Sequence, residues 1–244
     1  SDEVLRFAAA LREARPGPEP CRRRVRGKGL RIPCATYRLQ LNRHFTIDDA
    51  TRLVPYLARL GISHVYYSPY LKARPGSEHG YDIIDHNVFN PEIGSEADFQ
   101  RFSEALERHD MAQIMDVVPN HMGVMGADNT WWLDVLENGP ASVYAPFFDI
   151  DWKPVKRELH DKLLLPILGD AYGEVLERGE LKLAFDADRG SFHLSYYEHC
   201  APIAPREYSR LLGRRMEALV LRLGGDHPQL LELQSLVSAF QHLP

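Results

Sequence analysis

A chain of 244 residues with 44% apolar and 26% charged residues has the composition of a soluble globular protein of one large or two small domains. Its net charge of −5 gives no electrostatic reason to expect nucleic acid or an anionic membrane as a partner, and no apolar run approaches the roughly 20 residues of a membrane span. Three widely spaced cysteines, Cys21, Cys34 and Cys200, argue against a disulfide framework and for a reducing compartment. With Asp2 and Glu3 at the front of a non-signal-like N-terminus and no Asn-x-Ser/Thr sequon, a cytoplasmic location is expected.

Residues 1–30 read as a tail or linker. A short helical piece, Val4 to Ala14, precedes Pro16, Pro18 and Pro20 and then the basic run from Cys21 to Gly29. Five arginines and lysines in one segment are a weak nucleic-acid or targeting signal, and a solvated linker is the better reading. Ordered patterning begins near Ile32. Ala35 to Leu41 alternates and predicts a first strand. Thr46 offers an N-cap, acids follow at Asp48 and Asp49, and Ala50, Leu53, Val54, Leu57 and Leu60 recur at helical spacing before Gly61. Ile62 to Tyr67 predicts a second strand. Ser95 with Asp98 resembles a capping box for a helix burying Phe99, Phe102, Ala105 and Leu106. Gln113 to Val118 predicts a third, buried strand. A β-α-β-α-β alternation without hairpin signals argues for parallel strands joined by crossovers.

The rhythm then changes. Asn129 to Glu137 predicts a helix, and Leu181–Phe185 and Phe192–Tyr196 flank Asp186–Gly190 as a hairpin around that five-residue loop. One helix is expected from Tyr208 to Leu223, stopped by Gly224 and Gly225, and another from Pro228 to the last residues.

Polar clusters fall at two predicted strand ends. Tyr81 can stack on the apolar face of a sugar, His79 and Asp82 can bond its hydroxyls, and Gly80 permits an unusual backbone angle. Asp116, Asn120 and His121 follow the third strand. Aromatic platforms beside charged and amide groups suit sugar recognition. No metal is expected from His79, Asp82, Asp85 and His86, since no histidine pair sits at helical spacing and no cysteine joins them. Asp116, an acid inside an apolar run, reads as structural: it should bond neighbouring loops and hold His121. Tyr66, Tyr67 and Tyr70 read as packing residues. Trp131 and Trp132 either line a cleft or pack in a core. Neither a phosphate-binding loop nor a Ser- or Cys-nucleophile signature is present.

The HGYD segment at 79–82 and the DVVPNH segment at 116–121 resemble the early motifs of the α-amylase superfamily, glycoside hydrolase family 13. Longer stretches, at 32–42, 63–87, 131–152, 162–183 and 196–208, are similar to its trehalose-forming branch, the maltooligosyl trehalose synthases. The resemblance covers about residues 32–244. It implies an α/β fold: the N-terminal part, the first three β-α units, of a TIM-type (β/α)8 barrel over 31–123, followed by a mixed α/β insertion domain over 124–244, with 1–30 outside. It implies a retaining mechanism on maltooligosaccharide or another α-1,4-glucan, in which a carboxylate attacks the anomeric carbon and an acid protonates the leaving oxygen. The released glucose then attacks the glycosyl-enzyme through its own anomeric hydroxyl, giving an α,α-1,1 terminus. Carried over by motif, Tyr81 stacks on the sugar, His121, His79 and Asp82 bind hydroxyls, and Asp116 and Asn120 support the loop. Asn120 matches a calcium ligand of some amylases, but no other part of such a site is identifiable, and neither metal nor cofactor is expected. The family's nucleophile motif, resembling Gly-x-Arg-x-Asp-His, and its acid/base motifs do not occur in this chain. The catalytic carboxylates are therefore expected beyond Pro244, in a missing C-terminal part of the barrel, and the 244 residues alone are expected to be inactive.

Overall fold

The computed structural model of the chain describes residues 32–243. The tail expected over 1–30 lies outside them. Two compact units divide at Gly123 and Val124.

The first unit is built on a parallel sheet of β1 (Thr36–Leu39), β2 (His64–Tyr67) and, for its third member, β5 (Ala112–Met115), in the order β1-β2-β5. Helix α1 (Ile47–Arg59) links β1 to β2, and α2 (Glu96–Arg108) precedes β5. Both helices start where their side chains dictate. The Thr46 hydroxyl accepts the Asp49 N–H while the Asp49 carboxylate accepts the Thr46 N–H, and Ser95 and Asp98 repeat the exchange. These bonds hold both carboxyls below the usual range: for Asp49 chiefly the Thr46 backbone, for Asp98 chiefly the Ser95 hydroxyl. Gly61, with φ +85°, follows the C-cap residue of α1 and adopts the left-handed backbone that ends a helix without strain. Ile47, Ala50, Val54 and Leu57 fall on one stripe of α1. With Phe102, Ala105 and Leu106 of α2 they cover Leu39, Val65 and Tyr67, one face of the sheet. Edge-on contacts from Tyr70, Phe99 and Phe102 close around the Tyr67 ring.

Two expectations for this unit need correction. The third strand is neither as long nor as buried as its apolar run suggests: it ends at Met115, and Met115 and Val117 are 46% and 59% exposed. Among the described residues β5 pairs with β2 alone, so one edge has no neighbouring strand. The expectation of no hairpin also fails. An antiparallel pair, β3 (Leu71–Ala73) with β4 (Ile83–Phe89), stands between β2 and α2, its register shifted at both steps of β3. Its connection is the long loop from Arg74 to Asp82, not a tight turn.

In the second unit α3 (Thr130–Asn138) is capped by the Asn129 side chain, which accepts the Trp132 N–H at 3.0 Å. Helix α4 (Tyr172–Glu177) precedes an antiparallel meander of β6 (Lys182–Asp186), β7 (Ser191–Tyr196) and β8 (His199–Pro202). The hairpin is present, but its loop is residues 187–190, one shorter than expected, because Asp186 pairs with Ser191. The expected helix from Tyr208 is two, α5 (Tyr208–Gly213) and α6 (Met216–Leu223), broken at Arg214 and Arg215, and α7 spans Pro228–Gln241. Glycine at the end of α5 weakens continuation through that step. Trp131 stacks on Tyr144 at 5.1 Å and 11°, and Trp132 lies 5.1 Å from Phe148, so both pack within their own unit. No helix among the described residues is long and apolar enough to cross a membrane.

Leu57 is 1% exposed and Leu60 is 48% exposed. Leu57→Ala is expected to destabilise the first unit by about 2–5 kcal/mol, through lost burial and an unfilled cavity. Leu60→Ala should stay within about 0.5 kcal/mol of the parent. Urea unfolding of the two variants checks the contrast.

Candidate sugar-binding site

Strand alternation gives the parallel sheet a second face, opposite the helices. Register places Arg38 beside Tyr66 and Tyr66 beside Ile114; Asp116, two residues on, keeps to the same side. These side chains meet. The Tyr66 hydroxyl donates to Asp116 Oδ2 at 2.8 Å, Arg38 Nη1 lies 3.4 Å from the same oxygen, and the Tyr81 hydroxyl also donates to it. Arg38 Nη2 donates to the Tyr81 hydroxyl at 3.2 Å, and its guanidinium carbon stands 4.8 Å over the Tyr66 ring.

Burial pushes the Asp116 carboxyl up, but the bonds from Tyr81, Tyr66 and Arg38 outweigh it and hold the group below the usual carboxylate range. The bond to Asp116 in turn raises the Tyr66 phenol, with desolvation adding to it. An acid kept ionised in this way is a poor proton donor near neutrality. Asp116 thus ties the Tyr81 loop to the sheet, and the hold on His121 expected of it is not seen. Its bonds run to Arg38, Tyr66 and Tyr81, and His121 is held elsewhere. Tyr66, expected to pack, belongs to the polar group.

The two motif segments are fastened along their length. His121 Nε2 bonds the Tyr81 carbonyl at 3.0 Å and so carries a proton there, while Nδ1 lies 3.1 Å from the Asn120 side chain. The Gly123 N–H donates to the Ile83 carbonyl at 2.8 Å, and His86 Nε2 bonds the Val118 carbonyl at 3.0 Å. Within the first segment the Tyr81 N–H donates to His79 Nδ1 at 3.0 Å, and the two rings lie 26° from parallel with centroids 6.1 Å apart. Buried Ser77 accepts the Gly80 N–H at 3.1 Å and donates to Asp82 Oδ1 at 2.5 Å. Gly80 has φ +76°, and a Cβ there would stand 2.9 Å from the Pro69 carbonyl oxygen, so the position requires glycine.

The structure therefore gathers Tyr81, His79, Asp82, Asn120 and His121 around the C-terminal ends of β2 and β5. His79, Asn120 and His121 are exposed, and Tyr81 and Asp82 half-buried. Sequence reading missed Arg38 and, beyond it, Gln40, whose amide donates to the Glu78 and His79 carbonyls at 3.1 Å each. The available signal was the alternation of Arg38 and Gln40 with Leu39 and Leu41, which puts polar groups on the face away from the core. Among the described residues no group of three or more His, Cys, Asp or Glu side chains is placed to hold a metal. Asp85 instead accepts the Asn87 N–H at 2.9 Å. A hollow of about 460 Å³ in the second unit, walled by Asp134, Tyr144, Arg189, Phe192 and His193, contains none of the expected site residues.

The chain belongs to the α-amylase family: the family's catalytic-domain pattern matches residues 47–198, more than half of its length. Its α/β architecture is part of such a domain. Among similar proteins, the solved maltooligosyltrehalose synthase of Arthrobacter ramosus is 43% identical with a TM-score of 0.61, over 70% of this chain and 21% of its own. A second solved maltooligosyl trehalose synthase is 41% identical with a TM-score of 0.64, over 70% of this chain and 22% of its own. A Mycobacterium tuberculosis protein provisionally named as the same synthase is 42% identical over 164 residues, 61% of this chain and 21% of its own. The chain spans about a fifth of the length of these relatives.

A carboxyl depressed in the folded state stabilises above its ordinary value, about 3.9, and loses that contribution as pH falls through the folded value. Asp116→Asn is therefore expected to lower stability at pH 6–7, with the gap to the parent closing below about pH 4. Urea titrations of both proteins across that range measure it; a gap that stays constant down to the lowest pH at which both fold contradicts the assignment.

Proposed function

We propose that the unit ending at Gly123 comprises the first three β-α units of a (β/α)8 barrel, and that the unit from Val124 is an insertion following the third strand. In such barrels the chemistry gathers at the C-terminal ends of the strands. The observation that carries the functional reading is the pinned Tyr81: its hydroxyl is tied to Arg38 and Asp116 and its carbonyl to His121, between two segments at those ends. A fixed phenol ring among exposed imidazole, amide and carboxylate groups suits one glucose unit, ring face and hydroxyls together. On this reading His79, Tyr81, Asp82 and His121 bind an α-1,4-linked maltooligosaccharide near the bond to be rearranged, and Asp116 and Asn120 support them.

The similarity to maltooligosyl trehalose synthases supports a specific reaction for the whole enzyme. It is an intramolecular transfer that converts the reducing-end α-1,4 linkage to α,α-1,1 and so serves trehalose formation. Its covalent step requires a carboxylate nucleophile and a separate acid. No counterpart of those motifs occurs in the 244 residues, and Asp116 is already committed to three donors on one oxygen. This favours a second statement about the chain by itself: it binds α-glucan without turning it over, either as a binding portion or as half of an enzyme completed in trans.

Maltoheptaose titrated calorimetrically into the 244-residue chain is expected to bind, and Tyr81→Ala to weaken binding about tenfold, roughly 1.4 kcal/mol. Incubation with maltoheptaose should yield no trehalosyl product. Product from this chain alone sinks the division of labour, and binding that is indifferent to Tyr81→Ala sinks the site.

A further inference from the structure

We propose that Arg38 is a positioning residue for sugar binding: it sets the pose of Tyr81 without itself touching the glucan. The proposal rests on reading Tyr81 as the sugar platform. A tyrosine ring is placed by two side-chain torsions, and the structure fixes both ends of this one. At the backbone, the Tyr81 N–H goes to His79 and its carbonyl to His121. At the tip, the hydroxyl accepts from Arg38 Nη2 at 3.2 Å and donates to Asp116. Arg38 reaches both members of that pair, with Nη1 on Asp116 at 3.4 Å and Nη2 on the phenol.

The same guanidinium extends its hold to the loop backbone. Arg38 Nη2 donates to Gln40 Oε1 at 3.1 Å, which orients the Gln40 amide so that its nitrogen meets the Glu78 and His79 carbonyls. Asn42 Nδ2 adds a bond to the Glu78 carbonyl at 3.4 Å. Residues 38, 40 and 42, at alternate positions, thus grip the segment that ends in Tyr81 at its backbone and at its tip.

A purely stabilising ion pair does not account for this arrangement. The Arg38 side chain is 36% exposed, and pairs that open to water add little to stability. What the geometry uses is the planar fork, which serves carboxylate, phenol and amide at once while its face covers Tyr66. Lysine, a single flexible point of charge, keeps the ion pair but cannot serve the other acceptors together. Holding Tyr81 in place before the sugar arrives removes an ordering penalty from binding.

The test uses the 244-residue chain, Arg38→Met, Arg38→Lys and Tyr81→Ala, with tyrosine ring carbons labelled for nuclear magnetic resonance. The Tyr81 ring signal is identified by its loss in Tyr81→Ala, and buried Tyr67 reports an intact core. Both Arg38 variants should move or broaden the Tyr81 signal, leave Tyr67 in place, and weaken maltoheptaose binding roughly three- to tenfold. An unmoved Tyr81 signal in Arg38→Met overturns the positioning role. So does full recovery of binding by Arg38→Lys, which would mean that charge alone matters. If maltoheptaose binds and depends on Tyr81 but not on Arg38, the positioning role fails and the sugar site stands. If the parent chain does not bind maltoheptaose while Arg38→Met still moves Tyr81, the sugar site fails and the Arg38–Tyr81 coupling stands.

Discussion

One oxygen of Asp116 receives a guanidinium and two phenols, from Arg38 on β1, Tyr66 on β2 and Tyr81 on the loop before β4. Three segments distant in sequence are therefore tied to one point at the end of the parallel sheet. A partly desolvated acid in that position is tolerable only while those donors are present, and the donors are placed only while the register of β1, β2 and β5 holds. The covered face of the sheet supplies that register through Leu39, Val65 and Tyr67 packed under α1 and α2. A single parallel sheet thus does two jobs on its two faces: apolar packing fixes the strands, and the polar side chains of the opposite face place the loop that presents Tyr81.

The division of legibility follows from range. Thr46 with Asp49 and Ser95 with Asp98 are partners three residues apart, so both helix starts could be read without knowing anything else about the fold. The parallel order of the three strands followed from their alternation with helices. The β3–β4 pair escaped because its two strands are separated by the Arg74–Asp82 loop, and no tight-turn signal marks it. Exposure at Met115 and Val117 escaped for a related reason: an apolar run does not disclose whether both faces of its strand are covered.

The site shows the same limit. Tyr81, His79, Asp82, Asn120 and His121 stood out because polar groups clustered at predicted strand ends, and the structure brings them together. Arg38 and Tyr66 did not stand out, because their part depends on register across strands that one segment cannot disclose. Asp116 was assigned the wrong partner. Proximity in sequence suggested His121, five residues on, whereas the sheet face opposite the helices offered Arg38 and Tyr66 and the loop offered Tyr81.

The most direct measurement of the central claim is a nuclear magnetic resonance titration of the 244-residue chain with maltoheptaose, following backbone and ring signals throughout. The account predicts shifts concentrated on His79, Tyr81, Asp82 and His121. Shifts concentrated instead on the hollow walled by Asp134, Tyr144 and His193, with Tyr81 and His121 unmoved, would contradict it.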